Sequence, residues 1–161
     1  MLVATDYSRF IEPYSIFRAN KTSFDITASN KVFVETLPSD FSCEESFMVD
    51  VKNQTPLHLE QKFMVVPQDI EEGGQYILIP PNDNVIVETS EVISLDNDHC
   101  AFYQAVGNLN LANIAAVGSA WMQPGWRGKL KINFRNFNRV HSYKLYAGQV
   151  IGQVVFVLLK G

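Results

Sequence analysis

The chain has 161 residues, 47% hydrophobic and 19% charged, the balance of a globular domain rather than a disordered segment. That length supports one domain, taken as residues 1–161, with a core that needs no staples. A net charge of −4 and a pI near 5.3 argue against a general nucleic-acid binder, which needs a basic face over the whole fold.

In chain order, short segments rich in β-branched and aromatic residues predict strands at Lys31–Thr36, His58–Val66, Gln75–Ile79, Asn84–Glu88 and Glu91–Leu95. Pro67, Gly73-Gly74, Pro80 to Asn84 and Asp96 to Asp98 punctuate them as turns. Leu109–Ala116, lying between two glycines, is the only helical candidate. Strands follow at Lys129–Arg135, Tyr143–Tyr146 and Val150–Leu159. Strands at this spacing, with no internal repeat or linker, predict an all-β barrel or sandwich and exclude parallel βαβ units.

Cys43 and Cys100 form neither a disulfide framework nor a metal-binding spacing, and His58, His99 and His141 are scattered, so no metal site is expected. The residues from Met1 to Asp6 show no charged leader followed by an apolar run, and Val154 to Leu159 is too short to span a bilayer. A cytoplasmic protein without a membrane partner is expected, and the sequons at Asn20 and Asn53 are chance matches. The charge is unevenly spread: residues 1–125 hold all 17 acidic side chains against six basic ones, and residues 126–161 hold seven basic and no acidic ones. Within the basic part, Lys129 to Arg135 alternates polar and apolar residues, the period of a strand with one buried face. Its polar face carries Lys129, Lys131 and Arg135, enough to raise the local potential for an anion, although a solvated edge would show the same pattern.

Several motifs, kept in order along nearly the whole chain, resemble one family. Ile11-Glu12-Pro13-Tyr14 and Ser23-Phe24-Asp25-Ile26 are similar to the opening of dCTP deaminases, whose relatives are the trimeric dUTPases. Tyr76 to Pro80, Glu88-Thr89 and Glu91 to Leu95 resemble that family's next conserved stretch. Gln123-Pro124-Gly125-Trp126-Arg127-Gly128 resembles its D-P-G-W/F-x-G signature, and Tyr143 to Phe156 resembles its closing run, which ends in I-G-Q-L-v-F. The resemblance implies a dUTPase-like distorted β-barrel or jelly-roll-type fold that assembles as a homotrimer, with sites shared between subunits.

The departures bear on chemistry. Where the family carries G-R-S-S-L-A-R-L-G, with phosphate-holding serine and arginines, this chain reads Gly107 to Ala115: the arginines are Asn108 and Asn113, the serines Leu109 and Asn110. Asparagine brings neither charge nor the planar fork that makes arginine a bidentate phosphate ligand. The deaminases' proton-moving glutamate falls on Asn133, and the dUTPases' water-orienting aspartate on Gln123. An amide has no proton-transfer equilibrium near neutrality and cannot act as general acid or base. The family's substrate-closing arm would lie beyond Gly161.

No catalytic residue is therefore assigned, and the expected function is non-catalytic binding of a nucleotide or nucleotide-derived anion in a basic pocket between subunits. The expected site comprises Asn108, Asn110, Asn113, Gln123, Trp126, Lys131, Asn133, Arg135 and Gln153. For Trp126 core packing comes ahead of ligand contact, and for Gln153 strand-edge hydrogen bonding is the alternative. No cofactor is implied, and Mg²⁺ enters only with a triphosphate ligand. A sequestering protein of a phage or mobile element is one setting for such a binder. Two alternatives stand beside it. One is an active dCTP deaminase or dUTPase whose rebuilt site recruits a carboxylate such as Asp25 or Glu88. The other is a protein-interaction scaffold whose acidic first part is the contact face.

Overall fold

The computed structural model describes residues 2–3, 6–35, 59–63, 74–117 and 120–159. Its elements in order are β1 (Leu2–Val3), β2 (Ile11–Glu12), β3 (Phe24–Glu35), β4 (Leu59–Phe63), β5 (Tyr76–Ile79), β6 (Asn84–Thr89), β7 (Val92–Ser94) and β8 (His99–Ala105). The short helix α1 (Gly107–Leu111) comes next. It leads to β9 (Ile114–Val117), β10 (Ala120–Met122), β11 (Arg127–Gly128), β12 (Lys131–Asn136), β13 (Tyr143–Tyr146) and β14 (Val150–Leu158). The main sheet runs β10-β8-β14-β3-β6-β12-β9, with β1 added to β14 and β4 to β3; β11-β7-β2 and β13-β5 form two smaller sheets. The all-β class is as expected.

Strand β3 joins the two parts of the main sheet. Phe24 to Thr27 pair with β14, whereas Lys31 to Glu35 pair with β4, and the register against β6 shifts between Ala28 and Val32. Such an irregularity bends a strand, which lets one segment serve both parts. The inward faces of the alternating strands β6 and β12 bury Val85, Val87, Ile132 and Phe134 against Phe24, Ile26, Val154 and Phe156. Each such side chain contributes roughly 1.5–3 kcal/mol of transfer free energy. The N-terminal segment covers the same core. The rings of Phe10 and Phe156 stack at 5.1 Å, and Tyr7 meets Phe24 edge-on.

A buried polar group locks the fold at Glu91, which is 0% exposed. Its carboxylate accepts bonds from the Arg18 guanidinium, the Thr27 hydroxyl (2.8 Å) and the Thr27 amide (2.9 Å). Thr89 donates its hydroxyl to the Glu91 carbonyl and accepts the Leu130 amide, each at 3.0 Å. A buried charge is tolerable only with such a set of partners.

Several expected elements differ. The helix placed at Leu109–Ala116 is instead α1 followed by strand β9. The helix stops because Asn113 takes a left-handed φ of 57° and because Leu109 is its only core-facing residue, Leu111 being exposed. The strand expected from Lys129 begins at Lys131, and just before it the Leu130 amide bonds the Thr89 hydroxyl rather than a backbone carbonyl. Strand β3 starts at Phe24 rather than Lys31, and β8 lay outside the expected elements. Thr36, His58 and residues 64–66 of the expected strands lie outside the described residues. Cys100 is a free, buried thiol whose pKa burial pushes up. No helix among the described residues is long and apolar enough to cross a membrane.

Candidate functional site

Strand β12 follows the alternation of its sequence: Ile132, Phe134 and Asn136 are buried, while Lys131, Asn133 and Arg135 share the opposite face. Lys131 and Arg135 are exposed, and Asn133 between them is half-buried. The sheet register gives Asn133 its neighbours, Ile86 on β6 and Val117 on β9. Asn84, which faces Arg135 across the β6 pair, donates its side-chain amide to Asn133 Oδ1 at 3.2 Å. The centre of this face is therefore a neutral amide between two aliphatic side chains.

The cations at its two ends are held by rings. Lys131 Nζ lies 4.7 Å from the ring centroid of Phe33 on β3, and Arg135 Cζ lies 5.7 Å from that of Phe137. Among the described residues neither has a salt-bridge partner. Glu88, opposite Lys131 in the register, is 3.8 Å from Lys129 Nζ instead. Unpaired cations beside an uncharged amide make a face that attracts anions and has no group at position 133 able to carry a proton.

The segment from Asn108 to Asn113 is fastened to the end of this strand. Asn108 and Asn110 are exposed on α1, and Asn113 is exposed in the turn that follows. Asn113 O accepts the Phe137 amide at 2.8 Å, and Asn138 Nδ2 donates to Ala112 O at 2.9 Å. Behind them Asn136, fully buried, uses its whole amide: Nδ2 donates to Ile79 O (2.9 Å) and His141 O (2.8 Å). Its Oδ1 accepts from Asn138 N (3.0 Å) and Nδ2 (2.7 Å). This relay of amides fixes the α1 turn relative to the C-terminal end of β12. Asn136 and Asn138 were not among the expected site residues; their trace in the sequence is only an Asn-x-Asn pair closing a strand.

The remaining residues sit elsewhere in the strand order. Gln123 is exposed in the turn between β10 and β11, where Gly125 adopts a φ of 77° and Gln123 O accepts the Trp126 amide at 3.1 Å. Trp126 is half-buried, packs on the hydrophobic core and gives its carbonyl to the Leu95 amide. Gln153 lies on β14, three strands from β12, and donates to Asp25 Oδ1 at 2.9 Å; Asp25 also accepts from Asn20. Beside it Gly152 leaves room for Tyr103, since a Cβ there would come within 1.9 Å of that ring. Thus β12 brings Lys131, Asn133 and Arg135 together, the amide relay ties Asn113 to them, and Gln153 is held by Asp25. Phe33, Asn84, Ile86 and Val117, absent from the expected site, complete the face through register rather than sequence proximity, and Phe137, also absent from it, follows Arg135 by two residues.

A separate cluster lies beside the N-terminal segment. His99 Nδ1 is 2.6 Å from Asp96 Oδ1, and Arg9 Nη2 is 2.8 Å from Asp96 Oδ2. Burial opposes the Asp96 charge, but the bonds from His99 and the Asp98 amide and the nearby His99 and Arg9 outweigh it, and the Asp96 pKa is lowered. Among the described residues no three His, Cys, Asp or Glu side chains group as metal ligands.

The architecture defines a dUTPase-like β fold, and comparison with known proteins places the chain within it. The family described as dCTP deaminase-like matches residues 3–159, and the chain belongs to that family. A dUMP-forming dCTP deaminase of Hydrogenobaculum sp. is 26% identical over 147 residues, covering 88% of this chain and 81% of that protein. The dCTP deaminase of Pyrococcus furiosus is 31% identical over 98 residues, 58% of each chain. The crystal structure of 2′-deoxycytidine 5′-triphosphate deaminase from Agrobacterium tumefaciens superposes with a TM-score of 0.67 at 13% identity. It covers 97% of this chain, which spans 48% of that one.

Proposed function

We propose that this protein binds a nucleotide or nucleotide-derived anion without transforming it, in a basic pocket formed between the subunits of a homotrimer. The observation that carries this reading is the β12 face, where an amide, Asn133, stands between two cations that have no ion-pair partner among the described residues. Family membership supplies the nucleotide; the side chains supply anion attraction without a proton carrier at position 133. Asn108, Asn110 and Asn113 are the groups that read hydrogen-bonding edges, Gln123 and Trp126 contribute from a neighbouring subunit, and Gln153 supports Asp25. A sequestering role, in which a bound nucleotide is withheld from other proteins in the cytoplasm, follows from binding without turnover. Mg²⁺ accompanies the ligand only if that ligand is a triphosphate.

The test is to mix the purified protein with dCTP, dUTP and cyclic mono- and dinucleotides and weigh the free pool by mass spectrometry before and after denaturation. A nucleotide that disappears and returns unchanged is the expected result. Lys131→Glu or Arg135→Glu should release it while the protein stays folded. Conversion of dCTP or dUTP to a product would refute binding without chemistry.

One observation favours a second reading, an enzyme with a rebuilt site. Glu88 is half-buried and its strand partner is Lys131, so a carboxylate stands on the same face as Asn133. In that case product forms in the same experiment, and Glu88→Gln stops it.

A further inference from the structure

We infer that the β12 face takes a ligand with an anionic group at each of two ends and a flat, uncharged middle, of the dinucleotide type, rather than a nucleoside triphosphate. This inference rests on the reading of the face as a nucleotide site. Lys131 and Arg135 are four residues apart on an extended strand, which separates their Cα atoms by about 13 Å. Their heads do not converge. Lys131 reaches across β6 to the Phe33 ring on β3, and Arg135 turns to Phe137 beyond the end of β12.

Between the two heads the sheet register sets one row of side chains, Phe33, Ile86, Asn133 and Val117. Three are apolar and the fourth is an amide already engaged by Asn84. That row offers flat contact area to a ring and nothing to a charge. A nucleoside triphosphate concentrates its charge at one end, so it would engage one cation and leave the other over its ring. A molecule with separated phosphates engages both, exchanging each cation–π contact for a charge-assisted hydrogen bond. Glu88 strengthens the separation: Lys129 engages it, which leaves the Lys131 ammonium without a carboxylate partner among the described residues.

The test compares two probes by isothermal titration: a deoxyuridine dinucleotide phosphorylated at both its 5′ and 3′ ends, and dUTP. Each is titrated into the full chain and into Lys131→Ala and Arg135→Ala, with melting curves run alongside, since both side chains are exposed. The dinucleotide should bind at least about tenfold tighter, and each substitution should weaken it roughly tenfold, the effect of one lost hydrogen bond between charged groups. The weaker dUTP should respond to only one of the two substitutions. If dUTP binds as tightly, or both substitutions weaken both probes alike, the two-ended ligand is refuted while the nucleotide site stands. If neither probe binds, both inferences fall. Self-association that weakens in both variants would then identify the face as a contact between copies.

Discussion

Around Glu91 the charge is answered from inside the fold, by Arg18 and by the amide and hydroxyl of Thr27. On the outer face of β12 the heads of Lys131 and Arg135 lie over aromatic rings and have no ion-pair partner among the described residues. Glu91 follows the end of β6, and Lys131 to Arg135 pair along that same strand. The difference is in what the neighbouring strands offer. A buried ion must be satisfied by the protein or the protein does not fold, whereas an exposed cation can be left for a partner at little cost to stability. Charge serving the fold and charge serving a ligand are thus told apart by their partners rather than by residue type.

The largest effect is expected at Glu91. Glu91→Ala removes the acceptor of three donors, leaving the buried Thr27 amide and the Arg18 guanidinium without their carboxylate, at a cost of about 3–5 kcal/mol, read from urea unfolding. A loss below about 1 kcal/mol would mean that water reaches this site, and the contrast with β12 would disappear. Next comes Gly152→Ala. Its Cβ would lie 1.9 Å from Tyr103 Cε2 and 2.9 Å from the Gln104 carbonyl, so the ring that bonds Ile151 O must move. Overpacking of this kind costs about 3 kcal/mol, read as a fall in melting temperature.

A smaller effect sharpens the comparison from the side of the site. Asn138→Ala removes the bond to Ala112 O and half of the acceptance at Asn136 Oδ1, yet leaves Asn136 bound to Ile79 and His141. Stability should fall by only about 1 kcal/mol. Amide hydrogen exchange in residues 107–113 should nonetheless accelerate, because the side-chain tie at Ala112 O is gone and only the Phe137 amide on Asn113 O remains. Unchanged exchange there would remove the amide relay from the account of the site.

Acid should act elsewhere. Because Asp96 has a lowered folded pKa, its contribution is fully present above the ordinary carboxylate range and is lost as the pH falls below about 4, through the folded value. With the Asp96 side chain 35% exposed, that contribution is at most about 1 kcal/mol. Asp96→Asn should therefore narrow the stability gap between pH 7 and pH 3; an unchanged gap would place the acid sensitivity on another carboxylate.

The β12 face was partly legible in the sequence, because alternation is local: the order Lys131, Ile132, Asn133, Phe134, Arg135 already assigns which residues look outward. What completes the face was not. Ile86 and Val117 come to Asn133 through register, from 47 and 16 residues away, and no local pattern encodes a pairing. The start of β3 was hidden for a related reason. Phe24, Ile26, Thr27 and Ala28 are all buried, so the segment lacks alternation, and the polar Thr27 reads as a turn residue until Glu91 is seen to receive it. The second half of the expected helix failed because a run of Leu, Ala and Asn has helical propensity but only Leu109 to anchor it, and the sheet edge at β12 captured Ile114 to Val117 instead.

The smallest stability effect carries the most weight for function. Lys131→Ala and Arg135→Ala each remove an exposed cation whose only close partner among the described residues is a ring, so each should change stability by no more than about 0.5 kcal/mol. Against the several kcal/mol expected at Glu91, that near-silence is what a charge held for a ligand should produce. The same two variants should lower the salt-sensitive component of anion binding out of proportion to their effect on folding, because each removes a contact that screening also weakens. Equal losses of stability at Lys131 and at Glu91 would mean that the β12 cations belong to the fold. Their arrangement would then say nothing about a ligand.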